Sequence, residues 1–157
     1  MEDGKRAMGH RADGSSDVTC KMDPSKLFTW KLRVYYEDTD LGGVVYHANY
    51  LRFMERARTE WLRKLGFEQD VLRDHHSVQF VVVDADVHFR RPARFNDELT
   101  VTATVKKRSA ASLTFHQEVR GPDGGELCTG EIRVACIDSD NFRPRPLPGE
   151  ILREFGG

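Results

Sequence analysis

The sequence predicts an α+β domain in which one long helix is wrapped by a curved antiparallel sheet of about five strands. Three observations carry this: several stretches alternate with period two, one stretch has helical period, and one strand precedes that helix while four follow it. A lone helix covers one face of such a sheet. The other face stays open as a surface on which copies of the chain can associate.

The first strand is residues 28–36, FTWKLRVYY, with Trp30, Leu32, Val34 and Tyr36 on one face and Lys31, Arg33 and Tyr35 on the other. From about 47 to 65 the period changes. Tyr50, Met54, Ala57, Trp61 and Leu65 recur at steps of three and four, while Arg52, Glu55, Arg56, Arg63 and Lys64 take other sides. Gly66 stops this helix. FEQDVLRDHHS reads as a loop. In the second strand Val81, Val83, Ala85, Val87 and Phe89 share a face, with Phe80 and Val82 opposite, until RRPARFND breaks it. Leu99, Val101, Ala103 and Val105 alternate with Thr100, Thr102 and Thr104 in the third strand. Leu113, Phe115 and Val119 mark the fourth. After the hairpin turn GPDGG, residues Cys128, Ile132, Val134 and Cys136 mark the fifth. Pro144, Pro146 and Pro148 then end the sheet.

A chain of 157 residues is most simply one domain with a real core. The first 26 residues are polar, aperiodic and without the apolar centre of a secretory signal, so they read as a disordered extension ahead of a single domain over 27–157. A net charge of −1 removes any global electrostatic case for nucleic acid or an anionic membrane. No apolar run approaches the ~20 residues that span a bilayer. Cys20, Cys128 and Cys136 make no disulfide framework: on one strand, Cys128 and Cys136 would stand about 26 Å apart. A reducing, cytoplasmic setting is the expectation.

The stretch EDTDLGGVVYHANYLRFMERARTEWLR, residues 37–63, sets acids, a glycine pair and a histidine directly before the helix. Extended to YYEDTDLGGVVYHANYLRFMERARTEWLR, it resembles the 4-hydroxybenzoyl-CoA thioesterase family of hotdog-fold proteins, and within it the Tol-Pal-associated, YbgC-like acyl-CoA thioesterases. The resemblance runs from about residue 28 to 150 and ends in RPRPLP. It implies the hotdog fold, thioester hydrolysis, a homodimer or homotetramer, and an acyl chain buried at a subunit interface. It further implies that Asp40 is the catalytic acid, with Tyr36 and His47 in support. The substrate would be an acyl-CoA or an acyl carrier protein thioester.

The chemistry of those residues agrees. A thioester carbonyl is already electrophilic, so it needs an attacking oxygen and a place for negative charge, with no metal or redox cofactor. Asp40 can attack directly to give a mixed anhydride or take a proton from water; the residues fit both routes. Backbone N–H groups at the helix start near His47 can meet the oxyanion. Gly42 and Gly43 let the chain turn and approach the substrate. Arg90, Arg91, Lys106, Lys107 and Arg108, with Arg94, can meet CoA phosphates, although solvated strand ends are the plainer reading.

Other readings are weaker. DTDLGGVVYHAN matches some positions of a Ca²⁺ loop but has Asn49 where a bidentate Glu belongs, and a strand precedes it. Glu55 is a second carboxylate candidate, more simply an exposed helical Glu. His75, His76, His88 and His116 have no site-like spacing. A hotdog hydratase or dehydratase would do carbon–carbon chemistry, against which the Asp40–Gly–Gly–His47 order argues. A non-catalytic acyl-thioester-binding or scaffold protein would keep the fold without needing Asp40.

Overall fold

The computed structural model describes residues 17–19 and 26–155. In chain order these form β1 (Val18–Thr19), β2 (Phe28–Arg33), a 3₁₀ turn (Tyr36–Asp38), α1 (Asn49–Lys64), α2 (Gln69–His76), β3 (Val78–Phe89), β4 (Glu98–Arg108), β5 (Ser112–Arg120), β6 (Glu126–Asp138) and α3 (Gly149–Phe155). All strand pairs are antiparallel, in the order β4–β5–β6–β3, with β2 and the short β1 both on the outer side of β4. The fold is thus the expected one: five long strands around a principal helix, open at β3. Val18–Thr19 lie within the stretch read as an extension yet pair with Arg108 and Lys107. Residues 1–16 and 20–25 lie outside the described residues. Among the described residues no helix is long and apolar enough to cross a membrane.

α1 forms because its sixteen residues contain no Gly or Pro and put Tyr50, Phe53, Met54, Ala57, Trp61 and Leu62 on one face. Arg63 and Lys64 suit the negative end of its dipole, and Gly66 at φ 98° ends it. That face meets Leu99, Val101, Ala103, Leu113, Phe115, Val119, Ile132 and Val134 from the sheet. Met54 rests over Gly130, where a Cβ would stand 3.2 Å from its sulfur. Each fully buried large side chain contributes about 1.5–3 kcal/mol.

Three local expectations are corrected, and one element was not foreseen. The first strand ends at Arg33, not Tyr36, because the Asp38 carboxylate accepts the Tyr35 N–H at 2.8 Å and the backbone closes a 3₁₀ turn. Tyr36 therefore leaves the inward face and is 79% exposed. In β3 a bulge at Val83 shifts the register between Val82 and Asp84. One extra residue flips the alternation. Phe80 and Val82 thus stand on the helix side, across from Cys136 and Val134, while Ala85 and Val87 keep their expected face. The FEQDVLRDHHS segment contains α2, which anchors through Leu72 and stops at Ser77 in the left-handed conformation. Finally, beyond the proline-punctuated tail comes α3, whose Ile151 and Phe155 face inward one turn apart.

Trp61 ties these parts together: its ring stacks on Phe28 at 5.8 Å and meets Phe115 and Phe155 edge-on. Trp61→Ala is expected to lower the unfolding free energy in urea by about 3–5 kcal/mol. A loss under about 1 kcal/mol would show that this ring cluster does not hold β2 and α3 to the helix.

Candidate active site

The glycine-bearing loop is a small hairpin. Thr39 bridges Val45, and the Asp40 N–H donates to the Val44 carbonyl at 2.9 Å. Asp40 Oδ1 accepts the Gly42 N–H at 2.8 Å, and a Cβ on Gly42 would press to 3.2 Å from that oxygen. Gly43 takes φ 78°, which an L side chain rarely adopts. The two glycines therefore do different jobs: Gly42 lets the carboxylate fold back over the turn, and Gly43 makes the turn. Asp40 is exposed, and among the described residues its second oxygen has no protein donor.

Backbone and side-chain contacts seat the hairpin on the domain. The Val45 N–H donates to the Ala93 carbonyl at 2.8 Å, and Val44 bridges Arg94. The Ala93 N–H in turn donates to the Tyr50 hydroxyl at 3.0 Å, inside the core. Burial raises the Tyr50 hydroxyl pKa above its ordinary value, so it stays protonated and neutral here. The Asp38 carbonyl accepts both the Tyr46 N–H at 2.9 Å and Asn49 Nδ2 at 3.0 Å. Asp38, Asn49 and Tyr50 thus position the site. The sequence reading missed Asp38 and Asn49 as positioning residues, although a polar side chain in the first turn of an apolar-striped helix is a signal for one.

The helix start is where the hairpin delivers the chain. Ala48, the residue before α1, supplies no side-chain cap, and Asn49 turns its side chain to Asp38 instead. Among the described residues, neither His47 N–H nor Ala48 N–H has a protein acceptor. Two donors thus stand open at the positive end of a sixteen-residue helix dipole. The exposed His47 ring lies 4.6 Å from the Tyr46 ring and edge-on to Phe89 at 5.9 Å. Phe89, half exposed, also touches Tyr50, so an apolar wall adjoins the helix start. Tyr36 stands on the solvent side, edge-on to Phe95 at 5.6 Å.

The remaining candidates divide by position. Arg90 and Arg91 follow β3 and donate their N–H groups to the Leu127 carbonyl, so with Arg94 they lie at the hairpin's end of the sheet. Arg91 Nη2 is 3.6 Å from Asp123 Oδ1. Lys106, Lys107 and Arg108 end β4, about 26–33 Å along it from Glu98. Within one chain they do not join the hairpin, and Lys106 pairs with Glu131. Glu55 is exposed on α1, with Oε2 accepting Thr59 Oγ1 at 2.9 Å. His75 and His76 belong to α2, His88 meets Asp86, and His116 sits among Glu118 and Glu131, none of them at the hairpin. Cys128 and Cys136 are free thiols, and burial pushes them up to about 12 and about 11.

Residues 34–155 match the family described as the thioesterase-like superfamily. The acyl-CoA thioester hydrolase YbgC of Escherichia coli strain CFT073 is 44% identical over 129 residues, covering 82% of this chain and 96% of that protein. The acyl-CoA thioesterase YbgC of Helicobacter pylori strain 26695 is 39% identical, covering 80% and 96%. Among solved structures, a probable thioesterase from Bartonella henselae superposes with a TM-score of 0.74 at 34% identity, covering 78% of this chain and 99% of that one. A 1,4-dihydroxy-2-naphthoyl-CoA thioesterase from Synechocystis gives 0.77 at 25% identity, covering 83% and 96%. With its sheet, its helix and its hairpin accounted for, the chain belongs to the thioesterase-like superfamily of hotdog-fold thioester hydrolases, alongside the YbgC acyl-CoA thioesterases.

Proposed function

We propose that the chain hydrolyses acyl-CoA thioesters to the free acid and CoA, using Asp40 and the open N–H groups at the start of α1. One observation carries this reading: a single hairpin holds a carboxylate and leads directly into two backbone donors, and among the described residues one carboxylate oxygen and both donors have no protein partner. In the attack route, Asp40 Oδ2 adds to the thioester carbon, the C–S bond breaks, CoA thiolate leaves, and water hydrolyses the mixed anhydride. In the base route, Asp40 takes a proton from the attacking water. In both, negative charge on the former carbonyl oxygen falls to the His47 and Ala48 N–H groups. One such donor is worth about 3 kcal/mol in well-studied hydrolases, far more than the ~0.5 kcal/mol of an exposed ion pair. The His47 ring and Phe89 flank the carbonyl, and Tyr36 lines its approach.

Arg90, Arg91 and Arg94, at the hairpin end of the sheet, would meet CoA phosphates. Two copies would join through β3, whose twelve residues leave one edge unpaired among the described residues and expose Val82 and Val83. A homodimer, or a homotetramer built from it, follows, and the acyl group would lie beside that seam. A CoA substrate and free buried thiols fit a cytoplasmic site of action.

Asp40→Asn is expected to keep the wild-type melting curve and lose thiol release from acyl-CoAs by about 10²–10⁴-fold. Equal release by both proteins would move the catalytic acid elsewhere, with Glu55 next. Tyr50→Phe strips the buried Ala93 N–H of its acceptor. It is expected to cost about 1–3 kcal/mol of stability and to lower kcat more than it raises KM, because the hairpin loosens. An unchanged kcat would show that the hairpin needs no such anchor.

A further inference from the structure

Arg58 is one of the few charged side chains inside this domain. It lies on the sheet-facing side of α1, 8% exposed, with its guanidinium 5.9 Å from the Phe115 ring centre. Nη1 donates to Gln117 Oε1 at 2.9 Å. Gln117 is itself wholly buried, and its Nε2 donates to the Met54 and Thr102 carbonyls at 3.1 and 3.3 Å. The Glu118 N–H meanwhile donates to Thr102 Oγ1 at 3.0 Å. Side chains thus stand in for backbone partners between β4 and β5 where Gln117 holds the arginine. Among the described residues no carboxylate lies within ion-pairing distance of Arg58. Burial lowers its pKa to about 10, with Glu55 opposing that shift, so it stays charged at neutral pH. A fixed, desolvated cation that no carboxylate contacts directly, with Glu55 acting only from a distance, is costly in a structural part alone.

Arg58 also lines a cavity of about 110 Å³ between α1 and the β3 side of the sheet. Leu62, Phe80, Val82, Leu113, Phe115 and Val134 supply an apolar wall, with Glu55, Thr59 and Gln69 at the rim. The Gln69 amide and the Glu55 carboxylate both turn to the Thr59 hydroxyl rather than to Arg58. The volume is on the scale of the ~150 Å³ apolar cavity that accepts benzene. A charged donor fork borne by a lining residue of such a space suits a planar carboxylate on a small apolar body.

We propose that this cavity is a binding site for a small carboxylate, with Arg58 as its anion anchor and Gln117 as the residue that orients it. The carboxylate comes either from the distal end of a dicarboxylic acyl group or from a free carboxylic acid. In the first case the site selects the substrate, and this arm rests on the thioesterase reading. The cavity includes Phe80 and Val82 of β3, so pairing of two copies through that edge would set it beside the seam that receives the acyl group.

The test uses the full chain with benzoate and its neutral isostere benzamide, read on the side-chain Nε–H resonance of Arg58. Benzoate is expected to shift that resonance, and to bind about tenfold or more tightly than benzamide or than benzoate binds Arg58→Met. Should Arg58→Met fail to fold, Arg58→Lys keeps the charge and loses the fork. It is expected to weaken benzoate while still preferring it over benzamide. An Arg58 resonance indifferent to benzoate, or equal binding of benzamide, overturns the site. Turnover then separates the sources. For a dicarboxylic acyl group, Arg58→Met lowers kcat/KM about tenfold on that CoA thioester and not on the matched monocarboxylic one. For a free acid, both thioesters turn over as in wild type, while benzoate inhibits wild type but not Arg58→Met. Asp40→Asn should bind benzoate like wild type, so failure of the catalytic reading and failure of this one give different results.

Discussion

A single helix has to fill the inner face of a sheet five strands wide, and that constraint decides where everything else goes. Phe53, Met54 and Ala57 are sealed against the sheet, with Met54 over Gly130, so α1 can neither slide nor rotate without opening a void. Its first turn is therefore fixed relative to the sheet edge where β2 ends and β4 begins. The positive end of its dipole emerges at that edge, and the hairpin of residues 39–45 is the piece of chain that must arrive there. Packing thus sets the direction of the donors at His47 and Ala48 before any catalytic residue is considered.

The hairpin is held by backbone bonds and by side chains whose polar groups are consumed. Val45 is tied to Ala93, Ala93 to the Tyr50 hydroxyl, and the Asp38 carbonyl to Asn49. What these leave over is informative. Among the described residues Asp40 keeps one oxygen free, and the residue that would ordinarily cap the helix is an alanine. A chain seeking only stability would place Ser, Thr or Asp there, worth about 1 kcal/mol. Here the Tyr50 and Leu51 N–H groups bond the His47 and Ala48 carbonyls instead, at 3.3 and 3.2 Å, while the His47 and Ala48 N–H groups have no protein acceptor among the described residues.

Much of this was legible in the residues, and the exceptions have physical causes. Strands β4, β5 and β6 and helix α1 were readable because one of their faces is fully buried, so Leu99, Val101, Ala103 and the Tyr50–Met54–Ala57–Trp61 stripe show clean periods. The phase of β3 was not, since the extra residue at Val83 carries no signature of its own in the run of four apolar residues from Phe80 to Val83. Helices α2 and α3 bury only one and two side chains, too few to show a helical stripe. Tyr36 looked inward by alternation until the Asp38 carboxylate turned the chain. Asp40, Gly42, Gly43 and His47 came from the motif. The pinning by Asp38 and Asn49, and the buried Arg58–Gln117 pair, depend on contacts between distant segments that no spacing announces.

The most direct test of the account is a crystal structure of the wild-type protein with an acyl-CoA ketone analogue, a methylene replacing the thioester sulfur. The analogue's carbonyl oxygen is expected within about 3.2 Å of the His47 or Ala48 nitrogen, with its carbonyl carbon facing Asp40 Oδ2. A carbonyl seated elsewhere, beside Glu55 for instance, with the helix start left in water, would contradict it.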